Sequence, residues 1–206
     1  MKKKTFTGYE VVNQFEETIA DYAGSKYAVA VDSCCNALFL CCIYKSVKDG
    51  FPVGIPRFTY PGVVCSIIHA GGKTSFHDIK WSGQYFLGRY NIIDSALRFR
   101  KGMYLRESLM CLSFHAKKHL SIGRGGMILT DNKKAYEWFK KARFDGRSEV
   151  PLYKDKIKFV GWNMYMTPEQ AARGLVLFDF IKDKYLLDID WKSQGYSDLS
   201  KIKAYQ

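Results

Sequence analysis

Short apolar runs alternate along the chain with longer segments of helical periodicity, a pattern typical of α/β proteins. Apolar side chains at positions 11, 15, 19 and 22 predict one face of a first helix, and Gly24 is a natural stop for it. The apolar run 28–31 then predicts a buried strand that ends at Asp32. A helix over 36–46 is predicted to follow directly.

The same alternation continues through the rest of the chain. Strands are predicted at 52–56, 74–79, 90–93, 109–114 and 126–130, and helices at 60–70 and 133–143. A last helix begins after Thr167, where Pro168 at the first helical position and Gln170 at the third resemble a capping box. We expect this helix to reach about residue 184. Residues 186–206 have no strong period, so we expect a loosely packed tail there after a domain of residues 1–185.

The length of 206 residues is enough for one domain with a sizeable core. Hydrophobic residues make up 47% and charged residues 25%, as in ordinary globular proteins. The sequence contains no run of 18 or more apolar residues, so no membrane span is predicted. The basic N-terminus is not followed by the apolar run of a secretory signal, so we expect a cytoplasmic protein.

Cysteine and histidine spacing argues against a metal site. None of the six cysteines has C-x-x-C spacing, and most lie in apolar runs, which predicts small buried hydrophobic side chains. The four histidines share no metal-ligand spacing. The sequence therefore predicts neither a disulfide framework nor a bound metal.

The formal net charge is +12, which is compatible with nucleic-acid binding. The basic residues are scattered in pairs, however, and this also fits a solvated positive surface or a phosphorylated small-molecule substrate. Charge alone does not choose between these interpretations. Because no groove-reading or base-stacking element is visible, we do not expect nucleic acid as a partner. Because no membrane span is predicted, we do not expect a membrane as a partner either.

Five segments, in the same order along the chain, resemble the DegT/StrS-type sugar aminotransferases, which depend on pyridoxal 5′-phosphate (PLP). Together they extend over about residues 8–180, and accidental similarities rarely fall in order. The segments are F-E-E with Y-A-G and Y-A-V-A-V (15–31), P-R-F-T-Y (56–60), I-I-D-S-A (92–96), S-F-H-A-K-K-H-L with G-R-G-G (113–126), and G-W-N with Q-A-A and G-L (161–175).

This resemblance implies a three-layer α/β/α sandwich, the trimmed large domain of a fold-type I PLP-dependent transferase, over residues 1–185. The segment 78–92 is shorter than in the family, so we expect a strand–helix crossover to be missing, and we expect the family's smaller C-terminal domain to be missing as well. The family's S-G-T reads Ser33-Cys34-Cys35, a family Gln is Leu97, and a family Arg is Tyr165.

Two residues are implied to carry the chemistry. PLP needs an amine that bonds to its aldehyde and a carboxylate that keeps its pyridine nitrogen protonated. The resemblance assigns the first role to Lys118 and the second to Asp94. Asp94 ends an apolar strand, where an unpaired carboxylate is costly. The alternatives are a surface lysine in a basic turn and an aspartate in an exposed turn.

Further residues are implied to hold the cofactor. Tyr60 corresponds to the family's ring-stacking aromatic, although a core aromatic at a helix start fits equally well. Ser113 and the backbone of Cys34 and Cys35 would bind the phosphate, since N-terminal amides of a helix attract anions. Asn163 would reach the phosphate of the neighbouring subunit in a homodimer, unless it is only a turn residue.

The resemblance implies amino transfer, with glutamate as the expected donor, to a keto sugar on a nucleotide carrier, as in polysaccharide biosynthesis. A PLP-dependent sugar dehydratase is an alternative, but such family members replace the lysine by histidine, and Lys118 argues against it. A non-catalytic member with a structural or partner-binding role is the other alternative. Leu97, Tyr165 and the expected missing domain favour it.

Overall fold

A five-stranded sheet forms the centre of the fold. The computed structural model describes residues 7–205. The spatial order of the strands in the central sheet is β1, β7, β6, β5, β4. Strand β7 is antiparallel to both its neighbours, β5 and β6 are parallel, and β4 is antiparallel to β5. Two parallel strands, β2 and β3, form a second sheet. The strands are β1 (Tyr27–Val31), β2 (Val53–Pro56), β3 (Thr74–His77), β4 (Tyr85–Phe86), β5 (Ile92–Asp94), β6 (Leu109–Ser113) and β7 (Gly126–Thr130).

Helices cover both faces of the central sheet. Alternate residues of β1 divide between two cores: Val29 and Val31 belong to one with Leu38, while Ala28 and Ala30 belong to the other with Phe15. Since side chains alternate across a strand, these cores lie on opposite faces. The three-layer α/β prediction is therefore confirmed. Helices α1 and α5 supply one core and α2, α3 and α4 the other; they are α1 (Gly8–Ala23), α2 (Cys34–Tyr44), α3 (Pro61–His69), α4 (Lys133–Ala142) and α5 (Pro168–Asp179).

Local signals account for several helix ends. Helix α1 stops at Gly24, whose φ of 83° lies in the left-handed region that glycine adopts without strain. Helix α5 has the predicted capping box between Thr167 and Gln170, but it ends about five residues before the predicted position. Helix α2 begins earlier than predicted, because the Ser33 hydroxyl accepts the Asn36 N–H at 3.2 Å and caps it there.

The shortened segment 78–92 contains no helix, only the two-residue strand β4, which the hydrophobic pattern did not predict. After β4 the chain turns sharply, and the Gly88 N–H donates to the Gly54 carbonyl at 2.8 Å. Gly88 has a φ of 52°, and a Cβ there would lie 3.0 Å from the Gly54 nitrogen. This close approach connects the small sheet to the edge of the central one.

The C-terminal segment 186–205 is packed against the domain, whereas the sequence predicted a loose tail. Leu199 is buried, the Trp191 ring stacks on Phe58 at 5.0 Å, and the Arg98 guanidinium pairs with the Asp188 carboxylate. Trp191 and Leu199 lie in short 3₁₀ turns, and such turns leave no long hydrophobic period in the sequence. The domain division at residue 185 stays a prediction.

All six cysteines carry free thiols, and Cys34, Cys41, Cys42 and Cys111 are buried as predicted. Within residues 7–205 no three His, Cys, Asp or Glu side chains are grouped as metal ligands. In the same range, no helix is both long and apolar enough to cross a membrane.

Candidate active site

A cavity of about 700 Å³ opens at one end of the central sheet. Most of the predicted site residues line it although they lie far apart in sequence. The sheet, the start of α2 and the start of α3 therefore meet at one place. The predicted residues in its wall are Cys34, Cys35, Tyr60, Asp94, Ser113 and Lys118.

Asp94 is the last residue of β5 and is only 4% exposed. Its Oδ1 accepts the Ala96 N–H at 2.9 Å, and its Oδ2 accepts the Tyr85 hydroxyl at 2.9 Å. Burial raises the pKa of this carboxyl, while the two hydrogen bonds and the charge of Lys118 act in the opposite direction. Within the described residues Asp94 forms no ion pair. A cationic group entering the cavity would thus meet a buried carboxylate without a bound cation.

Lys118 lies in the turn after β6 and is half-buried. Its N–H donates to the His115 carbonyl at 2.9 Å, and the Ala116 N–H donates to the Gly123 carbonyl at 3.1 Å, so the turn is closed by backbone bonds. Burial lowers the pKa of Lys118 from 10.5, against the opposing charge of Asp94. A larger share of the amine is then neutral and able to act as a nucleophile. The neighbouring Lys117 is exposed.

The first turn of α2 and the end of β6 form a cradle in the wall of the cavity. Ser113 pairs with Gly126 across the β6–β7 ladder, and Gly126 lies directly against the start of α2. A Cβ on Gly126 would be 2.5 Å from the Cys34 nitrogen and closer still to the Ser33 carbonyl carbon. Glycine is therefore needed for the Ser113 hydroxyl and the α2 amides to face one cavity.

The two cysteines of this cradle are suited to lie beside an anion. Burial raises the pKa of Cys34 well above its usual value and that of Cys35 to about 11. Both thiols therefore remain uncharged at neutral pH and do not repel a phosphate. The Ser66 hydroxyl donates to the Cys35 carbonyl at 2.8 Å and ties the cradle to α3.

Tyr60 stands at the mouth of the cavity, immediately before α3, with 55% of its surface exposed. A Cβ on Gly62 would lie 2.7 Å from the Tyr60 ring and 2.5 Å from the Cys35 sulfur. The ring thus lies against the backbone of Gly62 near the cradle. Its exposed surface is available to stack on a planar ligand.

Several lining residues were not identified from the sequence. Trp81 comes from the shortened segment, and Gln194 and Tyr196 come from the C-terminal segment. The Trp81 and Tyr196 rings are stacked with centroids 6.3 Å apart. Burial and the charge of Asp94 both raise the pKa of Tyr196. These residues belong to no periodic pattern or motif, so only their aromatic character could have drawn attention to them.

Asn163 does not line this cavity. Its side chain is exposed, and its Nδ2 donates to the Asp145 carboxylate at 3.1 Å. The adjacent Met164 carbonyl accepts the Asp32 N–H at 2.9 Å, which attaches the Asn163 loop to the strand end before α2. The residue is therefore near the cradle but directed elsewhere.

The groups in the cavity fit PLP. Within the described residues the buried carboxylate of Asp94 forms no ion pair, so it can receive a protonated pyridine nitrogen. The Lys118 amine suits the aldehyde, the exposed Tyr60 ring suits the flat face, and the start of α2, which lines the cavity together with Ser113, suits the phosphate.

Comparison with known proteins also indicates a PLP-dependent aminotransferase family. The profile of the DegT/DnrJ/EryC1/StrS aminotransferase family matches residues 1–86 and 104–184. A UDP-4-amino-4,6-dideoxy-N-acetyl-beta-L-altrosamine transaminase of Campylobacter jejuni is 25% identical over 100% of this chain and 68% of its own. The spore coat polysaccharide biosynthesis protein SpsC of Bacillus subtilis is 26% identical over 80% of this chain and 55% of its own. The chain thus spans only part of the length of these relatives.

Solved structures show the same fold. A proposed PLP-dependent aminotransferase from Bacillus cereus superposes with a TM-score of 0.70 at 21% identity, over 82% of this chain and 58% of that one. The fold-type I prediction is confirmed by this similarity.

Proposed function

Because this chain belongs to the DegT/DnrJ/EryC1/StrS aminotransferase family, whose members depend on PLP, we propose that it binds PLP in the cavity and catalyses amino transfer. The acceptor is a keto sugar carried on a nucleotide, and the donor is glutamate. One observation carries the proposal: Asp94 and Lys118 face the same cavity, and burial shifts each pKa toward the neutral form.

Bound PLP supplies an electron sink that stabilises negative charge on the substrate carbon bearing the amino group. Lys118 Nζ would hold the cofactor aldehyde in the resting enzyme. Once the donor amine has displaced it, the same amine would take the proton from that substrate carbon as a general base and deliver it, as a general acid, to the cofactor's former aldehyde carbon. Asp94 would keep the pyridine nitrogen protonated, which is what makes the ring accept electrons. Asp94 is buried and Lys118 is half-buried, so the fold partly shields both groups from bulk water.

The remaining residues bind and orient. The Ser113 hydroxyl and the amides of Cys34 and Cys35 hold the phosphate, with Gly126 allowing the close approach. Tyr60 stacks on the ring. Together they fix the cofactor so that Lys118 faces its aldehyde, and correct orientation is a large part of the rate enhancement.

Basic side chains at the mouth of the cavity support a substrate that carries a diphosphate. Arg124 lines the cavity with its guanidinium largely exposed, paired with Asp32 at 3.0 Å, and Lys117 and His115 lie nearby. Guanidinium and ammonium groups bind phosphate oxygens well. The C. jejuni relative is named for a UDP-linked amino sugar, which also supports a nucleotide-sugar acceptor.

The surface near Asn163 supports a homodimer. The loop before it exposes large apolar side chains, among them Tyr153 at 82% and Val160 at 87%, and such a patch is typical of an interface. In a dimer, Asn163 would contribute to the partner's cofactor phosphate. Sedimentation at micromolar concentration should show a dimer, and a monomer that still binds PLP tightly would contradict this.

The free thiols of all six cysteines are compatible with the cytoplasmic location that we also propose.

An absorbance titration with PLP tests the proposed function. Addition of PLP should produce the long-wavelength band of a lysine-bound cofactor, and borohydride should fix the cofactor covalently. Glutamate should then convert the unreduced holoenzyme to the aminated cofactor, with release of the keto acid. A protein that binds no PLP would favour the non-catalytic interpretation.

A further inference from the structure

We propose that Tyr85 positions the Asp94 carboxylate for the cofactor, at the end of a buried hydrogen-bond chain that runs from Thr59 through Tyr85 to Asp94. This inference rests on the proposed function. Tyr85 does not line the cavity, so it acts through Asp94. It lies in the shortened segment 78–92, where no family motif pointed to a functional residue.

The hydrogen-bond chain from Thr59 to Asp94 is short and buried. Tyr85 Oη lies 2.9 Å from Asp94 Oδ2 and 2.6 Å from Thr59 Oγ1. All three side chains are less than 9% exposed. Tyr85 and Asp94 are also directly opposite each other in the β4–β5 ladder, so the backbone itself brings the phenol to the carboxylate.

The direction of the hydrogen bonds follows from the donors available. An ionised carboxylate only accepts, so the phenol must donate its single hydrogen to Asp94. The phenol oxygen then accepts from the Thr59 hydroxyl. Since Asp94 Oδ1 is already engaged by the Ala96 N–H, each carboxylate oxygen has one fixed partner. The rotation of the carboxylate is thereby set, and its remaining lone pairs are available to the cavity.

No neighbouring side chain duplicates this contact. The Ser95 hydroxyl donates to Gln84 at 3.0 Å instead. Leu97 is fully buried and has no polar atom to offer. The only side-chain hydrogen bond recorded for Asp94 within the described residues therefore comes from Tyr85.

The Tyr85 ring is itself held in place. The Trp81 ring packs against it edge-on with centroids 4.6 Å apart. The Trp81 indole N–H donates to the Phe58 carbonyl at 3.0 Å, next to Thr59 in sequence. Packing thus fixes the ring even when its hydroxyl is removed, which makes a Phe substitution informative.

The bond has an electrostatic consequence. Burial raises the pKa of Asp94, and the phenol opposes this by donating to the ionised form. Loss of the phenol should therefore raise the pKa further. Other groups that interact with this carboxylate are Lys118, the thiols of Cys34, Cys35 and Cys111, and the Tyr196 phenol. They are the same in wild type and variant.

The test compares Tyr85→Phe with a matched control, Tyr104→Phe. Tyr104 is also buried and hydrogen-bonded, but its hydroxyl donates to the Ser108 carbonyl at 3.1 Å and not to Asp94, and neither phenol lines the cavity. In the apoprotein, the ¹³C carboxyl resonance of Asp94 should titrate at higher pH in Tyr85→Phe than in wild type. It should not move in Tyr104→Phe. With PLP, Tyr85→Phe should bind about tenfold more weakly, while borohydride capture by Lys118 persists.

An unchanged Asp94 titration together with unchanged PLP affinity in Tyr85→Phe would overturn the inference. If Tyr85→Phe does not fold, Thr59→Val removes the hydrogen-bond donor behind the phenol and should give a smaller shift in the same direction; no shift there would also overturn it. If wild type itself binds no PLP, the proposed function fails, yet the apoprotein titration still decides whether Tyr85 controls Asp94.

Discussion

Asp94 and Lys118 reach the same cavity from neighbouring parallel strands. Asp94 ends β5, and Lys118 follows the end of β6. Each charge favours the charged form of the other, and burial opposes this in both cases. The cavity therefore holds two groups with perturbed pKa values, a condition often found at catalytic sites.

Lys118→Ala should abolish covalent capture of PLP, while Lys117→Ala should retain it. The reason is that Lys118 is half-buried beside Asp94, whereas Lys117 is exposed. Absorbance with PLP and mass spectrometry after borohydride measure the outcome. Cofactor located on Lys117 in the reduced wild type would show that the assignment is wrong.

The rate of PLP capture should rise with pH through a midpoint below 10.5. Only the neutral amine attacks the aldehyde, and burial lowers the pKa of Lys118 from that value. Asp94→Asn should move the midpoint lower still, because the negative charge of Asp94 acts to raise the pKa of Lys118. Stopped-flow absorbance gives the rates, with Nα-acetyl-lysine as the reference amine. A midpoint at or above that of the reference would contradict the prediction.

Asp94→Asn should stabilise the apoprotein at neutral pH while strongly weakening PLP binding. The folded pKa of Asp94 is raised, so the wild type loses stability as pH rises through that pKa. The gain should therefore vanish at pH below the unfolded-state pKa of aspartate. Asn can still accept from Ala96 and donate to the Tyr85 oxygen, with Tyr85 then donating to Thr59. Urea unfolding at several pH values measures the difference; a gain independent of pH would exclude this cause.

Gly126→Ala should weaken PLP binding at least tenfold and destabilise the protein by about 1–3 kcal/mol. The new methyl group would collide with the backbone of Ser33 and Cys34 and push β7 away from the cradle. Gly102→Ala is the control, since nothing lies within 4 Å of its Cβ position and only its φ of 65° adds strain, about 1 kcal/mol. Equal PLP affinity in the two variants would argue that Gly126 does not shape the site.

The sequence alone determined the alternation of elements, because apolar periodicity records which face of each helix or strand is buried. It also identified the C-terminal end of α1 and the start of α5, where Gly24 and Thr167 act on neighbouring backbone groups. Lys118 and Asp94 were found through motifs that are local in sequence, and the structure places both in the cavity wall.

Only the tertiary structure decided how these residues are supported. The bond from Tyr85 to Asp94 arises in a two-residue strand, and Tyr196 reaches the cavity from a segment of short 3₁₀ turns. Such irregular segments carry no period, and their contacts join residues far apart in sequence. Whether a tyrosine meets a carboxylate or solvent then depends on how the surrounding chain packs, which is a property of the whole fold.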